Sequence, residues 1–346
     1  MDVRKYIPAV LDNLIWVMLV VVVIFFSSMS PAYASLANLL NILFEAAILG
    51  LVVIGESFVL ITKNIDLSVE STVALCALLG AWLTVRPGPP DNGLGIQMNP
   101  WLAIAILLGV GVFIGWFNGT MITRMKMNDW VVTLSMLIAL RGVMHLLPAG
   151  NTVYNTTWPY NFLGQATIGP IPLPVILILV AFLVGYIVLK YTPFGRSLYA
   201  IGGNRDAARA SGINPERRIR QVFLVSSILA AIAGWMLGAR ITAVPPNLAD
   251  GMVFNVVAAC VIGGVSLNGG RGTMGGAFGG VLLLASISAG LNLIDVNAFW
   301  VDAIRGAIIL FAMLIDAQKV RYRAPVVKST PAPTVASPST PANSGD

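Results

Sequence analysis

Long apolar segments recur along almost the whole chain, and they constrain its fold more than any other feature. A membrane-spanning helix needs about 20 mainly apolar residues. Charged residues make up only 10% of the 346 residues, against about 25% in ordinary globular proteins, too few to cover a soluble surface. The sequence therefore predicts an all-α, polytopic membrane protein with about ten transmembrane helices. The candidate spans are 14–31, 39–61, 68–86, 101–122, 130–148, 171–190, 221–241, 252–267, 274–293 and 299–317.

The N-terminal segment combines a basic start with an apolar run. Arg4 and Lys5 precede the apolar residues 14–26, and Ala32-Tyr33-Ala34 follows, as at the cleavage site of a secretory signal peptide. Many apolar segments come later, as in polytopic proteins that begin with a signal-anchor helix. We therefore interpret the first segment as an uncleaved anchor, with a cleaved signal peptide as the alternative. The spans 68–86 and 252–267 are short, and we expect them to be tilted or partly re-entrant.

Lys and Arg fall mainly in alternate connections between the candidate spans. Cytoplasmic connections of membrane proteins carry an excess of these residues, so the pattern predicts that both termini lie in the cytoplasm. The net charge of +6 then reflects a basic cytoplasmic side and indicates no nucleic-acid partner. Only four basic residues lie on the outer side of the membrane or within spans, namely Arg86, Arg141, Arg240 and Arg305. The cytoplasmic set is Arg4, Lys5, Lys63, Arg124, Lys126, Lys190, Arg196, Arg205, Arg209, Arg217, Arg218, Arg220, Arg271, Lys319, Arg321, Arg323 and Lys328.

The composition changes sharply near the C-terminus. Residues 1–323 form the predicted transmembrane domain. Residues 324–346 consist almost entirely of Pro, Ala, Ser, Thr and Val, which cannot bury a core. We expect this segment to be a disordered cytoplasmic tail.

Residue types that carry enzymatic chemistry are scarce. The only histidine is His145, which argues against a histidine-rich metal site and a Ser-His-Asp set. Cys76 and Cys260 lie far apart in apolar runs, as small core residues do. The glycine-rich run 263–276 lacks the lysine that a phosphate-binding loop requires. We predict no enzyme activity, no metal and no cofactor bound by this chain. Glycines spaced by four instead favour close helix packing, at Gly272, Gly276 and Gly280 and at Gly275 and Gly279.

The second span carries a polar stripe. On a helix, Asn38, Asn41, Glu45 and Glu56 fall within about 60° of one another. A carboxylate in the bilayer core costs several kcal/mol unless it faces protein or water. The stripe therefore lines a polar path for a substrate or, alternatively, joins a network between helices.

The connection 191–220 is basic and helical in character. Residues 206–211 favour a short helix, and Gly212 can end it as a C-terminal cap. A short helix with small residues on one face and basic residues on another is typical of a docking element. The alternative is a solvated basic loop without a partner.

Several motifs resemble those of a known family. Asp206-Ala207-Ala208 followed by Gly212 is similar to the coupling loop of permease subunits in bacterial ABC importers, which docks into a groove of the ATPase subunit. The wider pattern resembles the ribose-type sugar permeases, and it covers roughly residues 40–316. Its signatures are Ile65-Asp66-Leu67-Ser68-Val69, Asn118-Gly119, Val132-Thr133-Leu134, Arg141-Gly142, Thr192-x-x-Gly195-Arg196, Ala200-Ile201-Gly202-Gly203-Asn204, Gly263-Gly264, Gly269-Gly270-Arg271-Gly272-Thr273 and Gly290-Leu291-Asn292.

The resemblance implies partners and site residues. The expected partners are a second permease subunit in a homo- or heterodimer, ABC ATPase subunits that bind the ATP, a periplasmic substrate-binding protein and the lipid bilayer. The expected location is the bacterial inner membrane. The predicted ATPase-coupling residues are Gly195, Arg196, Asn204, Asp206, Ala207, Ala208 and Gly212. The predicted substrate-path residues are Asn41, Glu45, Glu56 and Asn118.

Four positions depart from the family pattern. Lys63-Asn64 stands where the family usually has paired glycines, Glu70 where it has glycine, and Glu56 where a neutral residue is common. Two of these charges are carboxylates in or near spans, and because of them the resemblance does not determine the identity of the substrate.

The function that the resemblance implies is import of a monosaccharide or related polyol, driven by ATP hydrolysis in the partner subunits. A branched-chain amino acid or nucleoside permease of the same superfamily is the alternative within transport. A proton-coupled secondary transporter that uses Glu45 or Glu56 is a second class. An integral membrane enzyme is a third, and it lacks a catalytic set.

Overall fold

The computed structural model describes residues 14–297 together with 300, 301, 303, 304, 306, 307 and 310. This part of the chain is mostly helical, with two small two-stranded sheets. The helices are α1 (Leu14–Met29), α2 (Leu36–Ile61), α3 (Val69–Trp82), α4 (Pro100–Thr123), α5 (Asp129–Leu146), α6 (Phe162–Gln165), α7 (Leu173–Tyr191), α8 (Pro193–Gly203), α9 (Arg205–Ala210), α10 (Pro215–Ile241), α11 (Met252–Ile262) and α12 (Met274–Leu293). The strands are β1 (Val153–Tyr154), β2 (Thr167–Ile168), β3 (Ile171–Pro172) and β4 (Ala243–Val244), and a 3₁₀ turn covers Pro31–Ala34.

Six of the helices are long and apolar enough to cross a membrane, namely α2, α4, α5, α7, α10 and α12. The helices α1, α3 and α11 are apolar but shorter. The helical, multi-pass character is confirmed, whereas a total of about ten spans stays a prediction. The tenth predicted span, 299–317, lies largely outside the described residues, as does the predicted tail, 324–346.

The short helices α3 and α11 match the two spans that the sequence marks as short. With 14 and 11 residues and a rise of about 1.5 Å per residue, they extend about 21 and 17 Å. The hydrocarbon core of a bilayer is about 30 Å thick, so neither helix crosses it unaided. α11 begins after Gly251, which has a left-handed φ of 75°, and ends at Gly263.

Hydrogen bonds gather four connections at one end of the bundle. The Ile65 N–H donates to the Asp129 carboxylate (2.9 Å), and Arg205 donates to the Asn64 side chain (2.7 Å). The Tyr199 hydroxyl donates to the Gly272 carbonyl in the glycine-rich run (2.8 Å). We call this the basic end because most Lys and Arg of the connections lie there. It comprises 62–68, 124–128, 192–214 and 263–273.

The opposite end, which we call the loop end, is built from longer connections. β1 pairs antiparallel with β4, so that Val153 lies opposite Val244. The Tyr154 N–H donates to the Asp91 carbonyl at 3.0 Å. These bonds tie together the connections 83–99, 147–172 and 242–251.

α10 is the central helix and packs against α2, α3 and α4. Three glycines of α4, spaced by four, face it. A Cβ atom at Gly111 would lie 2.6 Å from Ala231, one at Gly115 2.7 Å from the Leu224 Cα, and one at Gly119 3.0 Å from the α10 backbone. Glycine is therefore required for this close approach of two helices.

The predicted glycine packing of α12 is confirmed at three positions. A Cβ atom at Gly276 or Gly280 would collide with backbone carbonyls at the end of α11, and one at Gly279 would lie 2.9 Å from Ile15 of α1. The prediction is wrong for Gly275, whose Cβ would meet nothing within 4 Å, and for Gly272, which precedes the helix with a φ of 147°. Gly275 lies outside the packed face, and a Cβ atom at Gly272 would lie 3.1 Å from Val265 in the same connection, not against another helix.

Gly115→Leu should destabilise the bundle, because the side chain cannot fit between α4 and α10. Overpacking of this kind costs about 1–3 kcal/mol or more. Gly109→Leu is the matched control, since a Cβ there would meet nothing within 4 Å. The measurement is the thermal unfolding midpoint and monodisperse fraction of detergent-purified protein. Equal midpoints for the two variants would contradict close packing of α4 against α10 at Gly115.

Candidate functional site

The segment 191–220 folds into two short helices, α8 and α9, between α7 and α10. Each has its own N-terminal cap. The Thr192 side chain accepts a hydrogen bond from the Gly195 N–H (3.2 Å), and Asn204 accepts from the N–H groups of Asp206 (2.9 Å) and Ala207 (3.0 Å). Such caps satisfy N–H groups that the helix leaves unpaired, so the sequence itself sets both helix starts.

The end of α9 is a Schellman motif. Gly212 has a φ of 83°, its N–H donates to the Arg209 carbonyl (3.0 Å), and the Ile213 N–H donates to the Ala208 carbonyl (3.1 Å). Glycine adopts this left-handed conformation without a steric penalty. The predicted C-terminal cap at Gly212 is confirmed.

α8 rests on the basic end of α2. A Cβ atom at Gly202 would collide with the carbonyl of Ile61, which is the last residue of α2. The rings of Phe194 and Phe58 pack edge to face, with centroids 6.3 Å apart. The Arg205 guanidinium, at the start of α9, donates to the side-chain carbonyl of Asn64, just beyond α2, at 2.7 Å.

α8 also contacts the glycine-rich connection 263–273. The Tyr199 hydroxyl donates to the Gly272 carbonyl at 2.8 Å, and the Gly270 N–H donates to the Ile61 carbonyl at 2.9 Å. Gly270 has a φ of 69° and lies against the α8 backbone at Gly203. The glycine-rich run therefore forms a seat for α8 together with the end of α2. We call these two elements the α8 seat.

The predicted coupling residues divide by exposure. Gly195 and Ala208 are buried inside the protein. Gly195 allows the tight turn from α7, because a Cβ there would lie 2.5 Å from the Leu189 Cα. Ala208 is 4% exposed and packs into the main core, so it is not on an outward docking face. The exposed coupling residues are Arg196, Asn204, Asp206, Ala207 and Gly212.

The predicted polar stripe on α2 does not form one surface. Asn41 is exposed, Glu45 lines a cavity, and Glu56 is fully buried. The Glu56 carboxylate accepts from the Asp66 N–H at 3.2 Å. The described lining of the cavity includes neither Asn41 nor Glu56.

Asn118 belongs to the same buried network as Glu56. Its amide donates to the Ser68 hydroxyl (2.9 Å), which in turn donates to the Asp66 carboxylate (2.6 Å). Burial raises the pKa of Asp66, which lies between the spanning helices, to about 6, while hydrogen bonds from Ser68 act in the opposite direction. The geometry favours a network between helices over a substrate path for Glu56 and Asn118. Among the described residues, no group of three or more His, Cys, Asp or Glu could hold a metal ion.

A cavity of about 520 Å³ lies between α2, α10, α11 and α12. Its volume falls in the range of small-molecule sites, about 300–1,000 Å³. Of the polar residues in its described lining, only Glu45 is among the predicted substrate-path residues. The available signal was the presence of other polar side chains inside predicted spans. The lining residues are Glu45, Ile48, Leu49, Leu237, Arg240, Ile241, Met252, Asn255, Leu284, Ala285, Ser288 and Asn292.

Glu70 joins three elements next to this cavity. One carboxylate oxygen pairs with Arg141 of α5 at 2.8 Å, and the other accepts from the Val253 N–H in the first turn of α11 at 3.2 Å. Arg141 also pairs with Asp250 (2.8 Å) and donates to the Leu248 carbonyl (2.8 Å). The carboxylate thus satisfies a free N–H at the positive end of a helix. The departure from the family at Glu70 is a paired, structural charge.

Residues 38–313 match the family described as "Branched-chain amino acid transport system / permease component". The chain belongs to this permease family. The ribose import permease protein RbsC of Bacillus subtilis is 35% identical over 303 residues, covering 87% of this chain and 91% of that protein. RbsC of Escherichia coli is 33% identical over 306 residues, with coverages of 87% and 92%. The xylose transport system permease protein XylH of Escherichia coli is 31% identical over 365 aligned residues, with coverages of 88% and 91%.

No solved structure matches the chain. Family membership together with the six long apolar helices makes this protein a multi-pass membrane component of a transport system. The members of the family to which it is similar are transport proteins, not enzymes.

Glu70→Leu should destabilise the protein by about 2–3 kcal/mol, because it leaves the largely buried Arg141 with fewer partners and removes the acceptor at the start of α11. Glu70→Gln keeps an acceptor and should cost less. The double variant Glu70→Leu, Arg141→Leu should recover part of the loss. Unfolding in detergent measures these variants together with Arg141→Leu alone, and a double variant as unstable as the sum of Glu70→Leu and Arg141→Leu would contradict the coupling.

Proposed function

We propose that this chain is the membrane-spanning permease subunit of an ATP-driven ABC importer that carries a monosaccharide or related polyol into the cytoplasm of a bacterium. The observation that carries the proposal is the similarity to ribose and xylose permeases along 87–88% of the chain. The family description also names branched-chain amino acids, and transport of these is the second candidate.

Each end of the bundle has its own proposed partner. ABC ATPase subunits, which bind the ATP, dock at the basic end, and a periplasmic substrate-binding protein docks at the loop end. The excess of Lys and Arg at the basic end supports a cytoplasmic location for it. This orientation puts both termini in the cytoplasm and the chain in the inner membrane. A second permease subunit, identical or paralogous, completes the complex.

The coupling route runs from α9 through α8 into the α8 seat. The exposed residues of α9 receive the ATPase subunit, and α8 contacts the end of α2 and the connection 263–273. α2 continues from this seat to Glu45 at the cavity, and α11 and α12 flank the same connection and form two other cavity walls. A shift of α8 therefore moves three of the four walls as packed helices.

The test of the proposal is uptake into proteoliposomes that contain the permease, its ATPase subunits and its binding protein. We expect uptake of radiolabelled D-ribose or D-xylose that requires ATP and survives a protonophore uncoupler, because ATP hydrolysis drives the step. Leucine should not be taken up. Uptake that collapses with the uncoupler, or uptake of leucine alone, would overturn the sugar importer.

Ala207→Trp should lower ATP-dependent uptake at least tenfold while insertion into the membrane is retained. The bulky side chain would lie on the exposed face of α9 and block docking of the ATPase subunit there. Gly212→Asp should act similarly by straining the left-handed cap. Ala34→Trp, an exposed alanine in the turn before α2, is the control. Co-purification of the ATPase subunit is the second measurement. Wild-type assembly and uptake in both α9 variants would exclude this docking site.

A further inference from the structure

The cavity reaches from the loop end to about the middle of the bundle. Ile241 ends α10 and Asn292 lies one residue before the end of α12, both at the loop end. Met252 begins α11, whose 11 residues run to the basic end over about 17 Å. Its start therefore lies roughly halfway across a hydrocarbon core of about 30 Å. Substrate sites of transporters favour such starts of discontinuous helices.

Below the cavity, α11 closes onto α2. The Cys260 thiol lies 3.5 Å from the Ser57 hydroxyl and 3.7 Å from the Val53 carbonyl, and all three residues are fully buried. A solute that enters from the loop end would be held at the start of α11 until α2 and α11 separate.

The lining suits a particular chemistry. Arg240 supplies only donors, Glu45 supplies acceptors when ionised, and Asn255, Ser288 and Asn292 supply both. The four walls also contribute apolar side chains. A polyol presents hydroxyl groups, each a donor and an acceptor, around C–H faces. An acyl chain in this place would offer no hydrogen-bond partner to Arg240 and Asn255, which is unfavourable.

Arg240 is held in position before any solute arrives. Its guanidinium lies 4.1 Å from the centroid of the Phe44 ring, within the range of a cation–π interaction. Asn255 is fixed on the first turn of α11, where Glu70 holds the Val253 N–H. The formal charges of Glu45 and Arg240 cancel, so the described part of the lining favours neither an anion nor a cation.

We infer that this cavity is a binding site for the transported solute within the permease itself, that it takes neutral polyhydroxylated molecules, and that Arg240 and Asn255 determine which of them pass. The inference rests on the proposed function and extends it to named residues. A zwitterionic amino acid held between Glu45 and Arg240 is the competing occupant.

Thiol accessibility tests the site in the complete importer. Ser288→Cys lines the cavity, whereas Ser286→Cys lies on the same helix outside the described lining and is similarly buried. The native Cys76 and Cys260 are fully buried and should give little background. The probe is a membrane-impermeant methanethiosulfonate added from the loop end. We expect modification of Ser288→Cys only, slowed at least threefold by saturating D-ribose or D-xylose with the binding protein present.

Specificity gives an independent readout. Asn255→Leu and Arg240→Lys should change the ratio of KM for D-ribose to KM for D-xylose about fivefold or more, the effect of one hydrogen bond. Asn41→Leu, an exposed position on α2 outside the described lining, should leave the ratio unchanged. Membrane content of each variant, measured by immunoblot, normalises the rates.

The outcomes distinguish a wrong cavity assignment from a wrong proposed function. If the wild-type complex takes up sugar but Ser288→Cys is unprotected and the KM ratio is constant, the cavity assignment is wrong and the sugar importer stands. If leucine, and no sugar, protects Ser288→Cys, the cavity holds a zwitterion and the inference is wrong. If the wild-type complex takes up no sugar, the proposed function fails and the inference fails with it.

Discussion

Two of the described helices, α3 and α11, have buried residues in their first turn, and the first N–H groups of a helix have no partner within it. Where such a start is buried, side chains take the place of water as acceptors. Asp66 accepts from the Ser68 N–H at the start of α3, and Glu70 accepts from the Val253 N–H at the start of α11. The placement of the cavity depends on this arrangement, because its inner limit is the start of α11.

Small residues provide the second condition for the fold. Helices in a bilayer gain little from burying apolar surface, and they associate by close packing. Glycines of α4 let α10 approach at backbone distance, and Gly276 and Gly280 do the same for α11 and α12. The result is a rigid set of helices around α10 through which a displacement at one end can reach the other.

The α8 seat and the cavity lie at opposite ends of the same helices. α8 contacts the last residue of α2 and the connection between α11 and α12 through Gly202, Tyr199 and Gly270. Those three helices also form three walls of the cavity. A displacement at the α8 seat can therefore reach the cavity through the helices that line it.

The sequence by itself determined the membrane class, ten of the twelve described helices and the cap at Gly212, because apolar length and capping are local properties of the chain. Tertiary structure decided the site. Glu45 and Glu56 share a helix face, yet one lines a cavity and the other joins a buried network, since neighbours change along the depth of the bundle. Glu70 and Arg141 meet across 71 positions, and Ala208 turns inward. Such contacts depend on which helices pack together, and no local pattern specifies that.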